Sequence, residues 1–449
     1  MITSPRRPVA APTQVVELDL EQPDELRTPG GLRTPSTGRA LALVRRHGHP
    51  LGLVTATGSA GDPAGLPRAV VEAAYRDLAP HRDPKVRHDP QSPHDPPTPH
   101  DPPTHGDLLA SLPAAPPPAA GADLVSVSVI VCTRNREDQL KPCLDAVLST
   151  THPRVEVIVV DNAPSSDATE RLVRSSYPGR VRYLREPVAG LARARNTGLA
   201  AAHGEICAFT DDDALTDAGW VPALVAAFRS DRRIGCVTGL VLPAELDTEA
   251  QAAFERYGGY AKGFTARSWS LIDRPDPLLP LSVGGFGTGA NMAFRTELLR
   301  GLGGFDPATG AGTRTRGGED LLAFYQVLDG GHTVAYQPDA IVWHRHRRDM
   351  AGLTKQIFGF GVGFGAYLTA VLSRRPGLLA TLVREAPRGT AEVFRRSRDR
   401  SGRHDRHDRV TGRAPAPFGL AEFRGLVCGP PNYLLSRWEQ RGTRVGEPS

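Results

Sequence analysis

Three consecutive aspartates follow a short apolar segment near the middle of the chain. Asp211, Asp212 and Asp213 come directly after residues 206–210, which have the composition of a buried strand. Placing three carboxylates together costs Coulomb energy unless a cation offsets it, and Mg²⁺ or Mn²⁺ is the usual cation where phosphate is the ligand. The triplet therefore predicts a divalent metal site that handles a nucleotide diphosphate. A solvated acidic turn, or the start of a helix at 220–225, would also account for aspartates here.

Two other groups of residues could serve such a site. Glu319 and Asp320 begin a predicted apolar helix, whose dipole stabilises a charged carboxylate that can accept a proton from an alcohol. Acidic residues in a first helical turn are also common without any catalytic role. His344 ends a predicted apolar strand, where it could bind a metal or be an ordinary surface residue, and His346 is the second candidate.

The elements that must position these groups are strands alternating with helices. Near-continuous apolar runs separated by helical segments predict an α/β fold, a doubly wound and mostly parallel sheet with helices on both faces. A small N-terminal α+β module and a C-terminal helical tail are expected beside it. Ligands of such sheets bind beyond the carboxyl ends of the strands, so polar residues there are expected to converge. The predicted strands are 125–132, 155–160, 181–184 and 206–210, and the predicted helices are 138–148, 168–175 and 191–202.

Five short segments at these positions stand in an informative order. They are residues 129–136, which include Thr133-Arg134-Asn135-Arg136, Val-Val-Asp-Asn at 159–162, Ala-Arg-Ala-Arg-Asn-Thr-Gly at 192–198, the aspartates at 211–213, and Gly-Gly-Glu-Asp at 317–320. Together they resemble the family-2 glycosyltransferases with a GT-A fold, over about residues 125–348. Other nucleotide-binding α/β classes fit less well, because the first strand is followed by neither a Gly-x-x-x-x-Gly-Lys-Ser/Thr loop nor a Gly-x-Gly-x-x-Gly loop.

This resemblance implies a metal-dependent, inverting transfer of a sugar from a nucleotide-diphosphate-sugar donor to an acceptor hydroxyl. It makes Asp320 the general base with Glu319 in support, and Asp213 the direct metal ligand, joined by His344. Arg193 is the alternative to Arg195, since a helix turns these two side chains to different faces. The donor-binding residues implied by the resemblance are Thr133, Arg134, Asp161, Arg195, Asn196, Asp211 and Asp212, and those of a loop lining the sugar and acceptor sites are Gly289 and Asn291.

Two other functions remain open at the level of sequence. A nucleotidyltransferase on a similar sheet would need a basic phosphate loop, which Arg134 and Arg136 supply only in part. An inactive nucleotide-sugar-binding or scaffold protein would not need both the aspartate triplet and the Glu319-Asp320 pair. Nucleic acid is not expected as a partner, because the Arg-rich residues 384–413 lack interleaved aromatic residues.

The rest of the 449-residue chain differs in composition from this region. We predict a small α+β accessory module at 1–80, a disordered Pro/His/Asp-rich linker at 81–122, the GT-A domain at 123–350, a hydrophobic helical segment at 351–385 and a basic, largely irregular tail at 386–449. The uncharged run 357–372 could be an interfacial, core or membrane-crossing helix. Peripheral membrane contact and a lipid-linked or polysaccharide acceptor are therefore expectations, and neither donor nor acceptor can be named.

Cysteine usage and the N-terminus bear on the compartment. The five cysteines form no Cys-x-x-Cys pair, and at least Cys132 and Cys207 lie in apolar runs, as buried thiols do. No apolar segment of the kind found in a secretory signal peptide follows Met1. These features predict a cytoplasmic protein, or one at the inner face of the cell membrane.

Overall fold

The computed structural model describes residues 10–30, 38–59, 62, 64–78, 124–272, 279, 282–380 and 417–444. The chain divides into two compact units. The first comprises residues 1–118 with 245–247, and the second comprises 119–244 and 248–449. The linker predicted at 81–122 lies outside the described residues, as do 381–416 and 445–449 of the segments predicted to follow the catalytic domain.

The first unit is a four-stranded sheet with one helix. Its elements are β1 Gln14–Asp19, β2 Leu26–Arg27, β3 Gly38–Arg46, β4 His49–Gly58 and α1 Gly65–Leu78. Strand β1 runs parallel to β3, which pairs antiparallel with β4 in a hairpin, and the strand order is β2-β1-β3-β4. The helix α1 buries Leu66, Val70 and Ala74, four residues apart, against the sheet.

The second unit carries the predicted alternation of strands and helices. Its elements are β5 Val127–Thr133, α2 Glu137–Val147, β6 Val155–Asn162, α3 Ala168–Ser176, β7 Val181–Glu186, α4 Leu191–Ala201, β8 Ile206–Asp211, β9 Ala214–Thr216, α5 Trp220–Ser230, β10 Ile234–Pro243, α6 Glu249–Tyr257, β11 Arg267–Trp269, β12 Asn291–Arg295, α7 Thr296–Gly301, α8 Glu319–Asp329, β13 Thr333–His344, α9 Met350–Arg374 and α10 Pro417–Arg444.

One nine-stranded sheet organises this unit. The order is β11-β13-β10-β12-β8-β5-β6-β7, with β9 paired to β13. Strands β5 to β8 are mutually parallel, whereas β12 runs antiparallel to β8 and β10. Val129 and Val131 pack on one face with α2, α3 and α5, and Ile130 packs on the other with α4 and α8. The predicted α/β fold, with a sheet between two helical layers, is confirmed. The sheet is mixed rather than mostly parallel, because four of its described strand pairings are parallel and four are antiparallel.

The register brings the predicted polar residues to one edge. Thr133 pairs with Asp161 and Cys132 pairs with Asp211, so the ends of β5, β6 and β8 are level. Strand β9 follows the aspartate triplet directly and pairs with the end of β13, which sets Ala214 opposite His344. Residues far apart in sequence therefore meet where a ligand of such a sheet binds.

Helix α9 is a core helix. It is the one helix among the described residues that is long and apolar enough to cross a membrane, yet more than half of its apolar part is buried. Leu353 and Ile357 join one hydrophobic cluster and Tyr367 and Val371 join another. Its N-terminus is capped by Asp349, which accepts a hydrogen bond from the Gly352 amide at 2.7 Å.

The largely irregular tail predicted at 386–449 is wrong for residues 417–444, which form α10. This helix packs on α9 through glycines, and a Cβ added to Gly429 would lie 2.6 Å from the Gly365 Cα atom. Gly425 meets the α9 backbone at Gly361 in the same way. The packing face consists of glycines and scattered aromatic residues rather than an apolar repeat, so hydrophobic periodicity did not reveal it.

Candidate active site

The centre of the site is a cluster of two carboxylates and one imidazole. One ligand atom from each of Asp211, Asp213 and His344 lies within 4.8 Å of the others. The His344 Nε2 atom is 3.2 Å from Asp213 Oδ1 and 4.0 Å from Asp211 Oδ2. Carboxylate oxygens and a ring nitrogen suit Mg²⁺ or Mn²⁺. The ligands predicted for a divalent ion, Asp213 and His344, are thus adjacent, and Asp211 joins them.

Backbone pairing sets this geometry. The Arg345 amide donates a hydrogen bond to the Asp213 carbonyl at 2.9 Å, directly beside the β9–β13 ladder. This bond holds the end of β13 against the aspartate triplet and aims His344 at it. The second candidate, His346, instead points its Nε2 atom at Glu255 Oε1, 3.0 Å away in a buried aromatic pocket. The structure therefore places His344, and not His346, among the aspartates.

Arg136, which sequence reasoning did not assign to the site, bridges two of the aspartates. Its guanidinium donates to Asp212 Oδ1 at 2.5 Å and to Asp213 Oδ2 at 2.7 Å. Arg134, the residue that the family resemblance pointed to, is exposed. Asn135 between them adopts a left-handed conformation with φ of 53°, so the turn directs Arg136 inward. Arg136 was among the residues of the motif, but the sequence did not show that its side chain points toward the aspartates.

The ionisation of the triplet is uneven because its members differ in their partners. Burial and the neighbouring Asp213 charge raise the pKa of Asp212 to about 7, although Thr133 donates a hydrogen bond to it at 2.8 Å. Burial also disfavours the charged form of Asp213, but His344 and Arg136 together hold its pKa well below its ordinary value. Burial lowers the pKa of His344, but the neighbouring Asp213 carboxylate outweighs this effect and raises it. Asp213 and His344 therefore form an ion pair.

Arg195 connects this cluster to the Glu319-Asp320 pair. Its buried guanidinium lies 3.0 Å from Glu319 Oε1, 3.4 Å from Asp211 Oδ1 and 3.1 Å from the Gly289 carbonyl. The alternative residue, Arg193, is directed to Gln440 on α10 instead. Burial raises the pKa of Glu319 to about 7 even though Arg195 lies beside it. The fork geometry of the guanidinium suits this three-way contact.

Asp320 is held by two backbone amides. The Gly289 amide donates to its Oδ2 atom at 2.8 Å, and the Leu321 amide donates to its Oδ1 atom at 2.8 Å. The loop predicted to line the sugar site thus fixes the predicted base through a peptide group rather than a side chain. The Gly289 carbonyl accepts a hydrogen bond from Arg195, which also contacts Asp211. The predicted metal ligands and the predicted base therefore belong to one connected network.

Asp161 lies at the end of β6, on the far side of β5 from the triplet's strand. Its side chain is fully buried, and Oδ2 accepts a hydrogen bond from the Tyr183 hydroxyl at 3.0 Å. Its Oδ1 atom has no hydrogen bond of good geometry within the described part of the chain, although the Thr169 hydroxyl lies near enough to act on the pKa of the carboxyl group. Burial raises the pKa of this carboxyl group. A buried acceptor that lacks a well-aligned donor is suited to a ligand N–H or O–H group.

Two side chains predicted at the site bind polar groups of the fold. The Asn291 amide donates to the carbonyls of Leu240 and Ala340 and accepts from the indole of Trp220, at 2.8 to 3.0 Å. Asn196 donates to the Phe305 carbonyl and accepts from the Phe305 amide, both at 2.8 Å. The sugar-binding role predicted for Asn291 is corrected, because this side chain is fully buried and both of its N–H groups are used. Asn196 keeps one N–H group, so its donor-binding role stays a prediction.

Comparison with known proteins covers the strands that carry the site. Residues 128–302 match the family model described as glycosyl transferase family 2. A pre-mycofactocin glycosyltransferase of Mycobacterium tuberculosis (strain ATCC 25618 / H37Rv) is 27% identical over 278 residues, which are 62% of this chain and 54% of that protein. Glycosyltransferase AglE of Haloferax volcanii is 36% identical over 100 residues, 21% of this chain and 33% of that protein. The chain spans about half the length of the first of these relatives.

A solved structure of a mannosyltransferase from Pyrobaculum calidifontis, in complex with GDP-Man and Mn2+, has a TM-score of 0.40 and 21% identity to this chain, covering 72% of it and 76% of the other. The family match includes Thr133, Asp161, Arg195 and the triplet, and ends before Glu319 and His344. The match over residues 128–302 shows that this part of the chain, which carries most of the site, is similar to glycosyl transferase family 2.

Proposed function

We propose that this protein transfers a sugar from a nucleotide-diphosphate-sugar donor to an acceptor hydroxyl, with a divalent metal ion and with inversion at the anomeric carbon. The observation that carries the proposal is the single network that joins a carboxylate–imidazole cluster to a backbone-held aspartate through Arg195. Leaving-group stabilisation and proton removal are the two tasks of glycosyl transfer. The network contains a candidate for each task, namely the carboxylate–imidazole cluster and Asp320, and this supports the proposal.

The residues divide these tasks by chemistry. A divalent ion at Asp211, Asp213 and His344 would neutralise the charge that develops on the departing diphosphate. Asp320 accepts the proton of the acceptor hydroxyl. At the same time the acceptor oxygen bonds to the anomeric carbon, and the bond between that carbon and the diphosphate breaks. The amides of Gly289 and Leu321 hold the Asp320 carboxylate in place for this step. Attack from the face opposite the diphosphate accounts for inversion.

The donor's nucleoside is proposed to lie over the ends of β5 and β6. The Oδ1 atom of Asp161 can accept a hydrogen bond from a nucleobase N–H or a ribose hydroxyl, while Tyr183 fixes the other oxygen. Thr133 and Arg136 support the triplet from the same side. The contact of Arg136 with two aspartates weakens the nucleotidyltransferase alternative, which needs that guanidinium for a phosphate loop.

The acceptor and the compartment are proposed at a coarser level. A lipid-linked or polysaccharide hydroxyl at the cytoplasmic face of a membrane is consistent with the basic residues 384–413. The five cysteines have free thiols, which agrees with a reducing compartment.

The test is donor turnover by the full chain. UDP-, GDP- and dTDP-sugars are incubated with and without Mn²⁺, using wild type, Asp213→Asn, Asp320→Asn and the control Asp167→Asn, whose exposed side chain pairs with Arg171. We expect metal-dependent release of one nucleoside diphosphate by wild type and control, and its loss in the other two variants. Calorimetric binding of a donor that none of the proteins turns over would instead identify a binding or scaffold protein.

A further inference from the structure

Helix α10 has two faces of opposite surroundings. One face is buried against α9 and its neighbours through Phe418, Gly425, Gly429 and Tyr433. The other face exposes large apolar side chains. Six of the twelve exposed large hydrophobic residues in the described part of the chain lie on this one helix, namely Leu420, Phe423, Val427, Leu434, Leu435 and Trp438.

Five of these residues lie on one side of the helix and are here called the α10 stripe, with Pro430 and Pro431 between the third and the fourth: Leu420, Phe423, Val427, Leu434 and Trp438. Their spacings of three, four, seven and four residues keep them on one side of a helix, opposite the glycines. Their side chains are 56–74% exposed. The stripe is therefore an apolar surface that the fold of this unit does not use for its own core, and such surfaces mark contact with a partner or a membrane.

Charge indicates the kind of partner. Residues 395–413, which precede α10 in the sequence, contain eight arginines and three aspartates. Arg424 and Arg437 on α10 itself are exposed beside the stripe. A line of aromatic and aliphatic side chains that ends in a tryptophan and is flanked by arginines is typical of a helix that lies in a lipid interface. Anionic headgroups would satisfy the arginines, and the acyl boundary would cover the stripe.

We infer that α10 docks the protein on an anionic lipid surface, with the stripe in the boundary between headgroups and acyl chains. This inference transfers the membrane contact from α9, where the sequence suggested it, to α10, because more than half of the apolar part of α9 is buried and α10 exposes more large apolar side chains. It does not depend on the proposed glycosyl transfer. It does place that activity close to a membrane, since α10 contacts Arg193 on α4 through Gln440.

Flotation of the full chain with vesicles tests the inference. Vesicles of phosphatidylcholine alone are compared with vesicles that also contain phosphatidylglycerol, at low and high salt. We expect flotation with the anionic vesicles that weakens as salt rises. Phe423→Glu and Trp438→Glu should each lower the bound fraction about tenfold or more, because each sets a charge in the apolar boundary. Leu124→Glu, at a site 69% exposed and away from α10, is the matched control and should float as wild type does.

Thermal melting and hydrolysis of a soluble donor establish that the glutamate variants remain folded. Both should be unchanged, because the side chains of Phe423 and Trp438 are mostly exposed and neither belongs to the site. Absence of flotation by the full chain would overturn the inference, and so would flotation of both variants at the wild-type level. A third outcome is that the wild type does not float and light scattering shows it to be a dimer, which either variant converts to a monomer. This outcome would overturn the inference and show that a second copy covers the stripe.

Discussion

Gly318 and Gly363 meet backbone to backbone. A Cβ atom added to Gly318 would lie 2.4 Å from the Gly363 carbonyl oxygen, and Gly318 has a φ of 93° that favours glycine. Gly318 immediately precedes α8, whose first two residues are Glu319 and Asp320. Helix α9 therefore sets the position of the proposed base by direct backbone contact, and the apolar, glycine-rich composition of α9 has a local explanation.

Gly363→Ala should impair turnover more than folding. The new methyl group would come within 2.8–3.0 Å of Gly317 and the Gly318 amide, so the start of α8 must shift. We expect kcat to fall about 10- to 100-fold with little change in donor KM, and unfolding free energy to fall by about 1–3 kcal/mol. Gly359→Ala, one turn earlier on α9, meets only an ordinary 3.7 Å contact and is the control. Equal kcat values for the two variants would contradict the positioning role.

Removal of Arg195 should leave a buried carboxylate without its partner. Arg195→Met is expected to cost about 3–5 kcal/mol of stability, as broken buried ion pairs do. Urea unfolding measures this loss. In a double-mutant cycle, Glu319→Gln in the same chain should restore part of it, because the neutral amide no longer requires a cation. Strict additivity of the two changes would show that the Arg195–Glu319 contact carries no coupling.

Metal binding should weaken on acidification. His344 must be neutral to ligate, but Asp213 raises its pKa, so the metal-free site holds a proton that the metal must displace. As pH falls through the raised pKa of His344, Mn²⁺ affinity should drop by up to about tenfold per pH unit. Calorimetry in buffers of different ionisation enthalpy should detect proton release. His344→Ala should abolish binding, and Glu297→Gln, an exposed site on α7, should leave it unchanged.

Nucleotide affinity should depend on Asp161 and, more weakly, on Tyr183. Asp161→Asn changes one acceptor oxygen into a donor, and we expect the Kd for the nucleoside diphosphate to rise about 10- to 100-fold. Tyr183→Phe removes only the bond that orients the carboxylate, so a rise of about threefold to tenfold is expected. Tyr177→Phe, which removes a comparable hydroxyl contact to Asp145, should leave the Kd unchanged. Isothermal titration measures all three.

The sequence predicted the sheet and its polar edge well, for a physical reason. Buried parallel strands need continuous apolar runs, and residues 127–133, 155–162 and 206–211 have them, so the convergence of Thr133, Asp161 and the triplet follows from topology alone. These polar residues were informative because few structural roles require a carboxylate or hydroxyl group at the end of a buried strand.

The errors arose where local direction decided the outcome. Asn291 lies next to the site, but its amide turns inward to satisfy buried carbonyl groups of the backbone, which no sequence pattern reports. Arg136 replaced Arg134 as the inward arginine because one residue between them adopts a positive φ. The irregular structure predicted for 386–449 is wrong at α10, although a C-terminal helical tail was predicted, because helices that approach through glycines need no apolar repeat on the contacting face.

The hydrogen bond from the Arg345 amide to the Asp213 carbonyl has a consequence for the energetics of cation capture. It ties the two strongest candidate ligands, which come from distant parts of the chain, into one rigid piece of sheet. The entropy lost in assembling these donors is therefore lost during folding and not at the moment of association. A cation arriving at this edge meets preorganised donors, so its affinity is governed mainly by desolvation and by displacement of the proton from His344.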